Sequence, residues 1–171
     1  AISLATGKYL ALLDHDDTLA PFALFEVVCA LEAEPEADLL YSDEDKLSQN
    51  GRTRLKPHFK PDWSPDTLRT YNYITHLLII KKQLLDSVDG IREGFEGSQD
   101  YDLILRATER AKKIKHIPKI LYHWREHANS TASNTRAKNS VSYSTSRAIA
   151  EHLQYPGTLE VGLQCHATDD Q

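Results

Sequence analysis

The residues best placed for chemistry are the acidic turn Asp14-His15-Asp16-Asp17, which follows directly on the apolar run Tyr9-Leu10-Ala11-Leu12-Leu13. A strand that ends in paired carboxylates fixes both side chains beside a cleft, and hard oxygen ligands of this kind suit Mg²⁺ or Mn²⁺. Asp14 and Asp16 have that arrangement. Taken alone, the same acids also read as a helix cap with charge to spare, because Pro21 opens a helix just beyond them. The rest of the chain must decide between the two.

The elements around the turn read as strand, acidic turn, helix, the helix carrying Phe22, Phe25, Val28 and Leu31 at helical spacing. Asp38 to Ser42 reads as a short strand, and the polar stretch Asp43 to Pro65 as a long loop of the length that usually carries function. Ser64 and Pro65 open a short helix. Tyr73 to Ile80 is a β-rich run leading into a second short helix that ends near Gly90. After the glycine-bearing loop Gly90 to Gln99, Asp100 begins a helix. Ile114 to Trp124 reads as a strand pair or one extended strand around Pro118, and a long helix spans about Lys138 to Leu153. Strands alternating with helices give an α/β fold.

The 171 residues, 40% hydrophobic and 26% charged, suit one globular domain. The absence of any methionine leads us to expect a piece of a longer protein. Cys29 and Cys165 fit no metal or redox spacing and read as reduced thiols, consistent with a cytoplasmic setting. A net charge of -5 argues against general nucleic-acid binding. The late basic cluster Arg106, Arg110, Lys112, Lys113, Lys115 and Lys119 reads as a solvated helix face, or as a surface that meets an anionic membrane.

The stretch Gly7 to Asp17 closely resembles the segment around the DxD motif of the family-two glycosyltransferases of bacterial surface-polysaccharide synthesis. Four further blocks resemble O-antigen-type members in the same order: Tyr41 to Lys46, Phe59 to Asp66, Gly94 to Leu103 and Leu121 to Ser130. The resemblance implies the C-terminal portion of a GT-A fold, a mixed sheet flanked by helices, without its N-terminal part. Residues 1–153 would be a partial catalytic domain and 154–171 a linker or the start of a following region.

By resemblance, Asp14 lies near the donor nucleotide and metal, and Asp16 binds the metal that bridges the diphosphate. Asp100 matches the catalytic base of inverting members, with Gln99 in place of the usual glutamate. A plain helix cap is the alternative for Asp100. Gln99 and Asp102 are placed on the acceptor side, although Asp102 could merely favour the helix N-terminus. Arg125 matches the arginine that neutralises the diphosphate, and His127 the histidine that serves as third metal ligand. Trp63 and Trp124 could stack on sugars, but a tryptophan is more often core.

The implied reaction moves a sugar from a nucleotide-diphosphate donor to a saccharide or lipid-linked acceptor, with inversion and Mg²⁺ or Mn²⁺. It would run in the cytoplasm at the inner face of the cell membrane, with peripheral association and no nucleic-acid partner. Two rival readings exist. Leu13 to Leu19 also resembles the nucleophile motif of haloacid-dehalogenase-type phosphatases, with Asp14 attacking phosphorus and Asp16 as the acid. A non-catalytic carbohydrate-binding relic is the other.

Overall fold

The computed structural model of the protein describes residues 2–126 and 135–154. Its strands are β1 (Tyr9–Leu12), β2 (Thr18–Leu19), β3 (Leu39–Leu47), β4 (Arg54–His58), β5 (Leu78–Lys81) and β6 (Ile114–Arg125). Its helices are α1 (Ala23–Ala33), α2 (Pro65–Thr70), α3 (Lys82–Ser87), α4 (Gln99–Arg110) and α5 (Thr135–Leu153). One sheet runs β1-β5-β3-β6-β2, with β4 added beside β3. Among the described residues β3 and β6 pair in parallel and the other pairs are antiparallel. This is the mixed α/β sheet that the sequence led us to expect.

Successive residues of a strand face opposite sides, so each central strand feeds two cores. Leu39, Tyr41, Leu78 and Ile80 pack against Leu103, Ile104 and Ala107 of α4. Leu40 and Ile79 turn to the other face and meet Ala23 and Val27 of α1. Burial on both faces explains the near-continuous apolar run in β5. No helix among the described residues is long and apolar enough to cross a membrane.

Three expectations need correction. β3 does not stop at Ser42 but continues through Asp43, Glu44 and Asp45, each no more than 5% exposed. Buried carboxylates are tolerated only with partners, and each has one: His116 Nε2 lies 2.8 Å from Asp43, Lys60 Nζ 3.4 Å from Glu44, and His123 Nδ1 2.6 Å from Asp45. The polar stretch therefore contains half of a central strand and all of β4. In α1, Phe22, Phe25 and Val28 are at least half exposed, while the smaller Ala23 lets the helix approach the sheet. The late basic cluster is not one helix face. Arg106 and Arg110 donate to the carbonyls of Val88, Gly90 and Ser87, satisfying orphan groups beyond α3, and Lys113, Lys115 and Lys119 pair with Glu34 and Glu26.

Candidate functional site

The acidic turn is pinned to the end of β6. Asp17 accepts the Tyr122 hydroxyl at 2.6 Å and the Arg125 backbone N–H at 2.7 Å. Arg125 Nε donates to the Asp16 carbonyl at 2.8 Å, and the Asp14 N–H donates to the Tyr122 hydroxyl oxygen at 3.2 Å. Burial first, and then the bond to Asp17, hold the Tyr122 phenol well above its ordinary pKa, so it remains a donor. These bonds fix the shape of the turn and leave Asp14 63% exposed.

Across from it stands His76, in the crossing before β5. Its ring stacks on Tyr122 at 4.6 Å between centroids and meets Trp124 edge-on at 5.4 Å. Its Nε2 lies 4.0 Å from Asp14 Oδ2. One ligand atom each from Asp14, Asp17 and His76 lies within 4.8 Å of the others. Two carboxylates and an imidazole fit a divalent cation that accepts oxygen and nitrogen donors. Asp16 is on the same turn but its carboxylate is not in this trio, and His127 lies outside the described residues.

The His76 segment is held from beneath by a buried pair. Glu44 Oε2 accepts Thr75 Oγ1 at 3.0 Å, the His76 N–H at 3.3 Å and Lys60 Nζ at 3.4 Å. The same ammonium donates to the carbonyls of Ile74, at 2.6 Å, and His76. Burial outweighs the Glu44 charge and draws the Lys60 pKa down to about 8.

A cleft of about 530 Å³ lies along β1 and is lined by Asp14, Thr75, His76, Gln99 and Asp100 among others. Asp100 lies in the first turn of α4, and Asn72 Nδ2 donates to its Oδ2 at 3.0 Å. Burial raises the Asp100 pKa above the usual aspartate value, although its own and the Tyr101 backbone N–H and the field of His76 oppose this. A carboxyl so shifted is a better proton acceptor than an exposed one. Gln99 accepts the Gly97 N–H at 2.7 Å. It shapes the loop as well as lining the cleft.

The structure brings Asp14, Gln99 and Asp100 to one cleft, and Arg125 braces the turn from behind. Two expected acceptor residues lie elsewhere. Asp102 is 1% exposed. Burial works to raise its pKa, but the bonds from Arg92 and Arg106 prevail and hold it low, so its charge serves to clip α4 to the preceding loop. Trp63 packs against the core of the α4 face. Trp124 is partly exposed beneath the Lys46 ammonium and beside His76. His76, Asp17, Asn72 and Tyr122 were not foreseen. Asp17, the third acid of its turn, and Tyr122, inside the block Leu121 to Ser130, lay in stretches that the sequence marked, whereas His76 and Asn72 did not.

No protein-family model matches the chain. Over 90% of its length it is 49% identical to an uncharacterized protein of Sinorhizobium fredii, and over 88% it is 44% identical to the O-antigen biosynthesis protein RfbC of Myxococcus xanthus. It spans only 17% and 12% of those two proteins. Over 81% of the chain it is 29% identical to chondroitin synthase of Pasteurella multocida, of which it spans 15%. Among solved structures, S. aureus TarS 1-349 in complex with UDP superposes with a TM-score of 0.63 at 19% identity, covering 91% of this chain and 44% of that one.

Proposed function

From the premise that the chain belongs to the family-two glycosyltransferases and has the GT-A fold, we propose that it is part of the catalytic domain of an inverting, metal-dependent transferase. The donor is a nucleotide-diphosphate sugar, and the acceptor is a saccharide or a lipid-linked saccharide of a surface polysaccharide. The UDP in the TarS complex and the O-antigen role in the name of the Myxococcus relative support this reading. A lipid-linked acceptor would set the reaction at the inner face of the membrane.

The observation that carries the proposal is the sharing of one cleft by Asp14 and His76 with Asp100, groups far apart in the sequence. Asp14, Asp17 and His76 would hold Mg²⁺ or Mn²⁺, with Asp16 on the same turn. A cation there would supply positive charge against a diphosphate. Arg125 adds a fixed positive charge behind the turn. Asp100, raised in pKa and oriented by Asn72, takes the proton of the attacking hydroxyl. Separate positions for leaving group and base suit a single displacement. The phosphatase reading would require Asp100 or Asp102 to close on the same cation, but Asp102 is enclosed by Arg92 and Arg106.

The test is Asp100→Asn in the full-length protein, assayed with a panel of UDP-sugars and Mg²⁺ or Mn²⁺. The amide keeps the shape but cannot take the proton, so turnover should fall by about 10²–10⁴-fold with donor affinity little changed. Near-normal turnover would remove Asp100 from the mechanism.

A further inference from the structure

We propose that a second hollow behind Asp100, walled by Tyr71 and Asn72, seats an uncharged pyranose ring of the acceptor; this rests on the transferase reading above. Asp100 is the partition between two cavities. One is the cleft shared with Asp14 and His76. The other, about 260 Å³, is bounded by Tyr71, Asn72, Gly97, Ser98 and Thr145 among others. A base that must reach an acceptor hydroxyl while the donor fills the first cavity needs the acceptor in the second.

The walls have the chemistry of sugar recognition. Tyr71 is 50% exposed, yet its ring is braced edge-on against Tyr73 at 6.2 Å, so it presents a fixed apolar face. A flat aromatic face beside a few placed polar groups takes the C–H face of a pyranose. Ser98 Oγ and Thr145 Oγ1, bonded to each other at 2.7 Å, add hydroxyls to the lining. Gly97, at φ +81°, leaves its own side of the hollow without a side chain. Asn72 is fixed at both ends: its amide nitrogen donates to Asp100 and its oxygen accepts the Thr75 N–H at 3.3 Å. It therefore ties the acceptor wall to the segment carrying His76.

Among the described residues no cationic side chain lines this hollow, and Asp100 is the one acid. An anionic acceptor group would meet no counter-charge there, and an acyl chain would strand the hydroxyls and the amide. A neutral sugar fits both conditions. In the reaction, the acceptor oxygen bonds to the anomeric carbon as the bond from that carbon to the diphosphate oxygen breaks. The diphosphate leaves with the bonding pair, and the hydroxyl proton passes to the Asp100 carboxylate.

The experiment is a saturation-transfer NMR titration of the full-length protein, preloaded with UDP and Mg²⁺, using methyl glycosides of glucose, galactose and N-acetylglucosamine. Wild type should bind at least one. Tyr71→Ala should weaken that binding roughly tenfold, the worth of one aromatic stacking contact. Tyr71→Trp should retain it, and UDP affinity should be the same in all three proteins. Undiminished glycoside binding by Tyr71→Ala, or no binding of any glycoside by a UDP-loaded wild type, would overturn the proposal and leave the transferase reading standing. A wild type that binds no nucleoside diphosphate would overturn both.

Discussion

His76 and Asp16 divide the metal question between them at the scale of single residues. Asp16 belongs to the motif that is legible in the sequence, whereas His76 sits in a run that reads only as β-rich. Its proximity to Asp14 arises from the fold: the antiparallel pairing of β1 with β5 sets the crossing before β5 opposite the turn after β1. We expect Asp16→Ala in the full-length enzyme to abolish Mg²⁺- or Mn²⁺-dependent transfer while the fold persists. His76→Ala should raise the metal concentration needed for half-maximal activity with little change in acceptor KM; an unchanged metal titration would strike His76 from the ligand set. Asp100 was legible as a helix-opening acid after a glycine loop, but its raised pKa was not, because burial depends on which residues pack around it. The acid limb of the kcat/KM profile should accordingly lie above the ordinary aspartate value of 3.8, since activity requires the carboxylate and is lost as pH falls through the raised pKa. An acid limb at or below that value would contradict the assignment.

Strand β3 governs the next scale. Its apolar half was readable, but its second half hid because Asp43, Glu44 and Asp45 are the residues a loop would carry, and their partners come from β4, β6 and the Lys60 region. A sequence window cannot reveal partners so distant. The Glu44–Lys60 pair that supports the His76 segment gives a pH signature. The unfolded lysine holds its proton up to about its ordinary value of 10.5, but the folded one only to about 8. Between those values the unfolded chain binds more protons, so this group's contribution to stability rises with pH. Measured from pH 8 to pH 10, the urea midpoint of wild type should gain on that of Lys60→Met, because the tyrosines, of ordinary value 10.0, titrate alike in both proteins. Equal slopes for the two would refute the shift. Glu44→Gln strands a buried ammonium and should cost about 3–5 kcal/mol in urea unfolding at neutral pH.

For the molecule as a whole, the sheet buried on both faces explains which parts of the chain tolerate change. Leu103 is fully buried against the α4-side core, so Leu103→Ala should cost about 2–5 kcal/mol. Phe25, which helical spacing marked as core, is 67% exposed, and Phe25→Glu should change stability by no more than about 0.5 kcal/mol. A reversed ranking of the two in urea melts would mean that α1 packs by the face its sequence suggests. The same two-sided architecture brings the acidic turn and the start of α4 to one cleft, and from that juxtaposition comes the central claim of a single displacement with Asp100 as base. The anomeric configuration of the product formed by the full-length enzyme, read from its anomeric proton coupling by NMR before any equilibration, tests this claim most directly. Configuration opposite to that of the donor sugar is predicted, and retention would contradict it.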